Sequence, residues 1–170
     1  MFEDTGETEV SPCETSPGAE NCATITIEDI WYTYYMVKRG KVIVGGHYNI
    51  IIHELRDQFE MRTIYTLRSY AMTDIEVLAV ENIKGIKTPD IKMNGLEWEI
   101  KNPKGKGKYV ISRNIYNASK QAPNIILDLR RMIGSYRHYM PEIEREFKAN
   151  PRAKKLLIVT KAQTIIEINK

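Results

Sequence analysis

The chain is poor in the residues that most readily declare a function. It has only two cysteines and three histidines among 170 residues. Cys13 and Cys22 both sit in a polar N-terminal stretch, where a bridge would close a small loop with nothing to pack on. Two cysteines make no disulfide framework, and no others are available for a structural zinc site. Two free thiols are expected. His47, His53 and His138 are scattered, without the helical spacing of a metal pair. No apolar run reaches the length of a membrane span, so a soluble protein, or a piece of one, is expected. The opening residues, MFEDTGETEV, are acidic and lack the apolar segment of a secretory signal. Internal repeats and heptad arrays are absent as well.

What remains describes a folded domain. Hydrophobic residues make up 42% and charged residues 28%, enough apolar material at this length for one core. The net charge of +3 hides an uneven spread. Residues 1–83 hold 6 Lys/Arg against 14 Asp/Glu, whereas residues 84–170 hold 19 against 8. A basic half of this kind suits an anionic polymer such as nucleic acid, although the halves could also simply attract each other.

Residues 1–23 are rich in Glu, Thr, Ser, Pro and Gly and read as a disordered leader or a junction. Residues 24–170 read as a single domain. Alternation over 25–50 suggests strands with a turn at Lys38–Lys41, broken at Gly45-Gly46. His53 to Ala71 reads as an amphipathic helix with Leu55, Phe59, Arg62 and Tyr65 along one face, and Ile64 and Leu67 beside it. Ile75–Val80 is a strand candidate. Tyr109 to Ala122 reads as a helix with Ile111, Ile115, Ala118 and Ala122 at helical spacing, Ser112 as a cap and Pro123 as its stop. Asn124–Leu129 is nearly all apolar, the mark of a strand buried on both faces. A charged helix over Pro141–Ala149 and two strands around Lys161-Ala-Gln complete the chain. The order predicts an α+β fold: a mixed, mostly antiparallel sheet with a central Asn-Gly hairpin, packed against two to three helices.

Asn94-Gly95 is a strong signal for a type I′ turn, which needs positive φ at both positions. That turn sets Met93 opposite Leu96, Lys92 opposite Glu97, Ile91 opposite Trp98 and Asp90 opposite Glu99. One ribbon face is then Ile91, Met93, Leu96, Trp98 and Ile100, all apolar and expected in the core. The other carries Asp90, Lys92, Glu97, Glu99 and Lys101. Lys92 and Glu97 form a favourable cross-strand pair. Asp90 and Glu99 repel, with Cβ atoms expected ~4.5–5.5 Å apart. Three remedies exist: full solvation, a proton held at raised pKa, or a cation such as Lys101 or a hard metal ion.

The loop Asn102–Lys108 follows directly, and its Lys104, Lys106 and Lys108 with interleaved glycines could cradle phosphate, or simply be flexible. On the next helix Arg113, Asn114, Asn117, Lys120 and Gln121 lie off the apolar stripe. Arg113 could clamp a phosphate with its planar fork, and Asn117 and Gln121, four apart, could face one site. Arg130-Arg131, Arg137, Arg152 and Lys154-Lys155 add positive surface suited to backbone contacts. His138, beside Arg137, is the best histidine for acid/base work, or a plain surface residue.

Pro89-Asp90, Gly95, Trp98-Glu99-Ile100-Lys101 and Pro103, then a helix ending Ala118-Ser119-Lys120-Gln121 and the strand Asn124–Leu129, resemble a known nuclease family. It is the C-terminal toxin domain of contact-dependent growth-inhibition and related polymorphic toxins. Similar domains end some phage head and mobile-element proteins. The resemblance spans roughly residues 54–135. It implies a barnase/EndoU/colicin/RelE-like α+β fold and cleavage of RNA, above all tRNA, without a required metal. The 2′-hydroxyl would attack the adjacent phosphate and leave a cyclic phosphate end. The family pattern falls on Asp90, Glu99, Lys101 and Gln121, with Arg113 added as a helper and Lys104, Lys106, Lys108 and Lys120 as phosphate binders. No catalytic histidine is carried over. The resemblance also implies a cognate immunity protein, and action in the cytoplasm of a bacterial target cell after delivery within a larger secreted toxin.

The same hairpin spells a second pattern. Pro89-Asp90, eight residues, then Glu99-Ile-Lys101 is similar to the PD-(D/E)XK motif of restriction-type nucleases. That resemblance implies Mg²⁺ held by Asp90 and Glu99, and DNA as substrate. A non-catalytic nucleic-acid- or partner-binding module is the third reading.

Overall fold

Asn94 and Gly95 adopt φ of 53° and 71°, so the tight turn forms as its sequence demands. The computed structural model describes residues 42–44, 48–54, 56–80 and 88–170. The leader, both cysteines, His47, Leu55 and most of the strand pattern over 25–50 lie outside the described residues. The hairpin register is the expected one: Met93 pairs Leu96, Lys92 pairs Glu97 and Ile91 pairs Trp98.

The strands are β1 (Val42–Val44), β2 (Ile50–Ile52), β3 (Ile75–Val77), β4 (Ile91–Met93), β5 (Leu96–Lys101), β6 (Asn124–Asp128), β7 (Lys155–Val159) and β8 (Ile165–Ile168). They pair in sequence order into one open sheet of eight strands. Pairs β2·β3, β5·β6 and β6·β7 are parallel, and the other four are antiparallel. Each parallel step is bridged by a helix: α1 (Gln58–Ala71), α2 (Val110–Ala118) and α3 (Met140–Ala149). The fold is therefore α+β on a mixed sheet, as the element order predicts. No helix among the described residues is long and apolar enough to cross a membrane.

Two cores sandwich the sheet. On one face Met61, Ile64 and Leu67 of α1 pack on Ile75, Val77, Ile91, Trp98, Ile100 and Ile126. On the other, Ile111, Ile115 and Ala118 of α2 and Ile143 and Phe147 of α3 cover Ile125, Leu127, Leu156 and Ile158. β6 feeds both layers and is buried at all five positions, which explains its unbroken apolar sequence. Each such side chain stabilises the fold by roughly 1.5–3 kcal/mol.

Several boundaries differ from expectation for local reasons. Helix α1 starts at Gln58 rather than His53, because the Asp57 carboxylate accepts the Phe59 and Glu60 N–H groups and caps it. Its buried face is Met61, Thr63, Ile64 and Leu67, leaving Phe59 half-buried and Arg62 exposed. β3 stops at Val77, where Leu78 N–H passes to Asp90 O. Helix α2 is capped by no side chain, since the Ser112 hydroxyl donates to Tyr109 O instead. It ends at Ala118, four residues before Ala122. Leu96, at the ribbon tip, is exposed rather than in the core.

The strand directions gather several strand ends at one edge. The C-terminal ends of β5, β6 and β7 lie together, and antiparallel β4 begins there with Asp90. Chain leaving β2 at the same edge enters α1 on one face, while chain leaving β5 enters α2 on the other.

Candidate active site

Asp90 closes the hairpin with its side chain. Its N–H donates to Trp98 O at 3.1 Å, and its Oδ2 accepts the Ile100 N–H at 2.7 Å. A carboxylate thus takes the place of a backbone acceptor at the last rung. Oδ1 faces Arg56 Nη1 at 3.5 Å, and Arg56 Nη2 donates to Leu78 O at 2.9 Å. The Arg56 Nε–H is buried without a partner among the described residues.

Glu99, next to it, is only 2% exposed, and Asp90 is 7% exposed. Full solvation is therefore not the remedy for their repulsion. Glu99 Oε1 accepts from both Lys101 Nζ and Gln121 Nε2. Its Oε2 is buried with no partner among the described residues. Burial, then the Asp90 charge, pushes the Glu99 carboxyl up to about 7, and Lys101 opposes the rise.

Helix α1 adds an acid that sequence reasoning missed. Glu60, half-buried in the first turn of α1, is also raised to about 7, first by burial and then by Asp90 and Asp57. Arg56 and Lys101 lower it. The site thus holds three carboxyl groups, one guanidinium and one ammonium in a small volume. Glu60 belongs to no local motif, and only the return of α1 across the strand ends brings it to Asp90. Among the described residues no group of three or more His, Cys, Asp or Glu is arranged to hold a metal ion.

The other expected residues are placed as follows. Gln121 lies past the end of α2, where Ser119–Gln121 turn tightly and Gln121 N–H donates to Ala118 O at 2.8 Å. That turn, rather than a helical face shared with Asn117, aims its amide at Glu99. Arg113 and Asn117 are exposed on α2. Lys104, Lys106 and Lys108 are exposed on their loop, and Lys120 Nζ sits 3.9 Å over the Tyr116 ring. The loop is anchored: Gly105 N–H donates to Arg131 O at 3.4 Å, and Ile133 N–H donates to Gly105 O at 3.1 Å. The Gly105 N–H is therefore taken, and the lysine side chains carry whatever the loop offers to phosphate. His138 lies in an exposed turn before α3, and His53 pairs with Glu76 at 2.7 Å.

A second carboxylate sits at the end of β6. Asp128, 2% exposed, holds Arg130 through Nε at 3.0 and 2.9 Å and through Nη2. Thr63 Oγ1 donates to it at 2.6 Å, and Arg130 N–H donates at 2.9 Å. Arg130 is thus a structural partner and not the free surface cation its sequence position suggests. Beside this pair opens a cavity of about 360 Å³ lined by Phe59, Arg62, Asn102, Arg131, Lys161 and Gln163. Another cavity, of about 380 Å³ between α2 and α3, contains none of the three site carboxylates.

No curated protein matches the chain. Among solved structures it resembles a CdiA-CT/CdiI toxin and immunity complex from Burkholderia pseudomallei, with 23% identity over 68% of this chain and 91% of that one, and a TM-score of 0.43. The model of the contact-dependent growth inhibition CdiA C-terminal domain matches residues 87–165, a span that holds Asp90, Glu99, Lys101 and Gln121. Over residues 87–165 the chain is therefore similar to the CdiA C-terminal domain family, and Asp90, Glu99, Lys101 and Gln121 fall within the matched span.

Proposed function

We propose that this chain is a toxin domain and a nuclease that cleaves RNA, with tRNA the favoured substrate, and that Glu99 is the centre of its chemistry. The observation that carries the reading is the buried Asp90–Glu99 pair, with Glu99 pushed up to about 7 beside the Lys101 ammonium. A carboxyl group that titrates near neutral pH can both take and return a proton. In the proposed step ionised Glu99 takes the proton of the ribose 2′-hydroxyl. The O2′–P bond forms, the P–O5′ bond breaks, and the products are a cyclic phosphate and a 5′-hydroxyl. Lys101 stabilises the charge that builds on the phosphate. Gln121 holds Glu99 Oε1 in place, and Glu60, also near 7, supplies the proton the leaving oxygen needs. Arg113, Lys104, Lys106, Lys108 and Lys120 hold the surrounding backbone, in keeping with the basic balance of residues 84–170.

A second reading rests on one atom. Buried Glu99 Oε2, without a partner, is a hard oxygen donor beside Asp90, and a divalent ion such as Mg²⁺ would satisfy both. The fit is partial, because Lys101 and Gln121 hold Glu99 Oε1 while Arg56 and the Ile100 N–H hold Asp90. This reading carries DNA as the substrate. The family also motivates a cognate immunity protein as partner, and delivery from a larger toxin into the cytoplasm of a bacterial target cell.

Purified protein assayed on tRNA and on plasmid DNA, with Mg²⁺ and with EDTA, separates the readings. Cleavage of tRNA that survives EDTA supports the first. Metal-dependent cutting of DNA alone overturns it in favour of the second. Tight, salt-sensitive binding with no cleavage leaves a non-catalytic binding module.

A further inference from the structure

We propose that the cavity beside Asp128 binds one unpaired nucleotide of the substrate chain, with its base stacked on the Arg131 guanidinium. The idea rests on the nuclease reading for its substrate and on separate residues for its argument. At about 360 Å³ the cavity falls within the ~300–1,000 Å³ range of small-ligand sites. It adjoins the candidate active site through two elements. Asn102 follows Lys101 directly, and Phe59 precedes Glu60 on α1.

Its walls are prepared in advance. Arg131 Cζ lies 3.9 Å over the Phe59 ring centroid, so one side of the guanidinium is already covered by an aromatic ring. The opposite face is a platform of the kind that unpaired bases use. The neighbouring Arg130 cannot move into the space. All three of its nitrogens are engaged, with Asp128, with Thr63 at 3.2 Å and with Thr66 at 3.2 Å. The far wall is the β7–β8 turn. Thr160 N–H donates to Thr164 O at 3.0 Å, Gln163 N–H donates to Thr160 O at 3.0 Å, and the two threonine hydroxyls lie 2.6 Å apart. That closure holds Gln163 at φ 60°, a backbone conformation uncommon for this residue type.

The lining has a division of labour that suits a nucleotide. Arg62 and Lys161 are exposed cations whose side chains bond to no other described residue, and they suit phosphate. Asn102 and Gln163 present amides, which can both donate to and accept from a base edge. A double helix cannot insert a paired base into such a cavity, so the ligand is single-stranded or looped.

The test uses the full chain carrying Glu99→Gln, so that binding is read without cleavage. Anisotropy of labelled eight-nucleotide RNAs is measured for single strands and for a duplex of the same length. Arg131→Ala and Arg131→Lys are each expected to weaken single-strand binding roughly tenfold and to leave duplex binding nearly unchanged. The lysine variant keeps the charge and removes the plane, so it separates stacking from attraction. Gln163→Gly, which the left-handed backbone tolerates, is expected to narrow the preference among homopolymers. Equal single-strand binding by the parent and both Arg131 variants overturns the proposal, as does the absence of RNA binding by the parent. Either result leaves the wild-type cleavage assay to judge the nuclease reading on its own. Cleavage with no effect of the Arg131 variants removes the subsite alone.

Discussion

Glu99-Ile-Lys101 on β5 and Asp128-Leu-Arg130, which begins at the last residue of the adjacent β6, are nearly the same phrase. Each sets a buried acid, 2% exposed, two residues before a cation at the same edge of the sheet. Their surroundings make them opposites. Asp128 has a planar guanidinium, a threonine hydroxyl and a backbone N–H, so each of its oxygens is bonded. Glu99 has a point-charge ammonium and an amide on one oxygen, nothing on the other, and a second carboxylate alongside. The first arrangement holds the fold together. The second stores an unmet demand for a proton or a cation, which is what acid/base chemistry draws on.

The sharpest way to break the contrast is to remove each acid in turn. Glu99→Gln and Lys101→Ala are expected to lower cleavage of tRNA by at least ~100-fold while the protein stays folded, read by initial rates and circular dichroism. Asp128→Asn is expected to do the reverse. Leaving Arg130 partly buried without its counter-charge should cost about 3 kcal/mol in urea denaturation, with activity per folded molecule much less affected.

Stability against pH sharpens the comparison further. Glu99 binds its proton more tightly in the folded state than in the unfolded chain, with a pKa of about 7 against a usual 4.5. Its contribution to stability is therefore complete below about 4.5 and is lost as pH rises through about 7. Glu99→Gln removes that loss. Its Tm should exceed that of the wild type above pH 7, and the gap should close towards pH 4.5. Cleavage by the wild type should peak near pH 7, because Glu99 must be ionised while Glu60 still holds its proton. The smallest effects belong to the exposed cations. Arg113→Ala or Lys106→Ala should weaken nucleic-acid binding modestly, with each true phosphate contact lowering the salt slope by about 1.

The sequence carries the local half of this contrast. Asn94-Gly95 dictates the register, and the register sets Asp90 beside Glu99. The convergence of Lys101 and Gln121 follows from a motif that spans only the hairpin and the next helix. The remainder depends on contacts between distant segments. Glu60 and Arg56 reach Asp90 only because α1 starts at the strand ends, and neither periodicity nor a turn signal records that. Arg130 reads as free positive surface until the fold delivers Thr63 and the burial of Asp128. Burial also hid the character of the ribbon face. Alternation placed Asp90 and Glu99 with Lys92 and Glu97, but Lys92 and Glu97 alone remain in water.

The carboxylate of Asp90 that accepts the Ile100 N–H gives one residue two duties that selection cannot separate. If the proposed nuclease activity is toxic to a host cell, a genetic screen for harmless variants would recover changes at Glu99 or Lys101 as intact, abundant protein. Changes at Asp90 would also release the final rung of the hairpin and surface as poorly accumulating chains. Abundance measured beside toxicity would thus sort the two neighbouring acids into different classes, although they share one site.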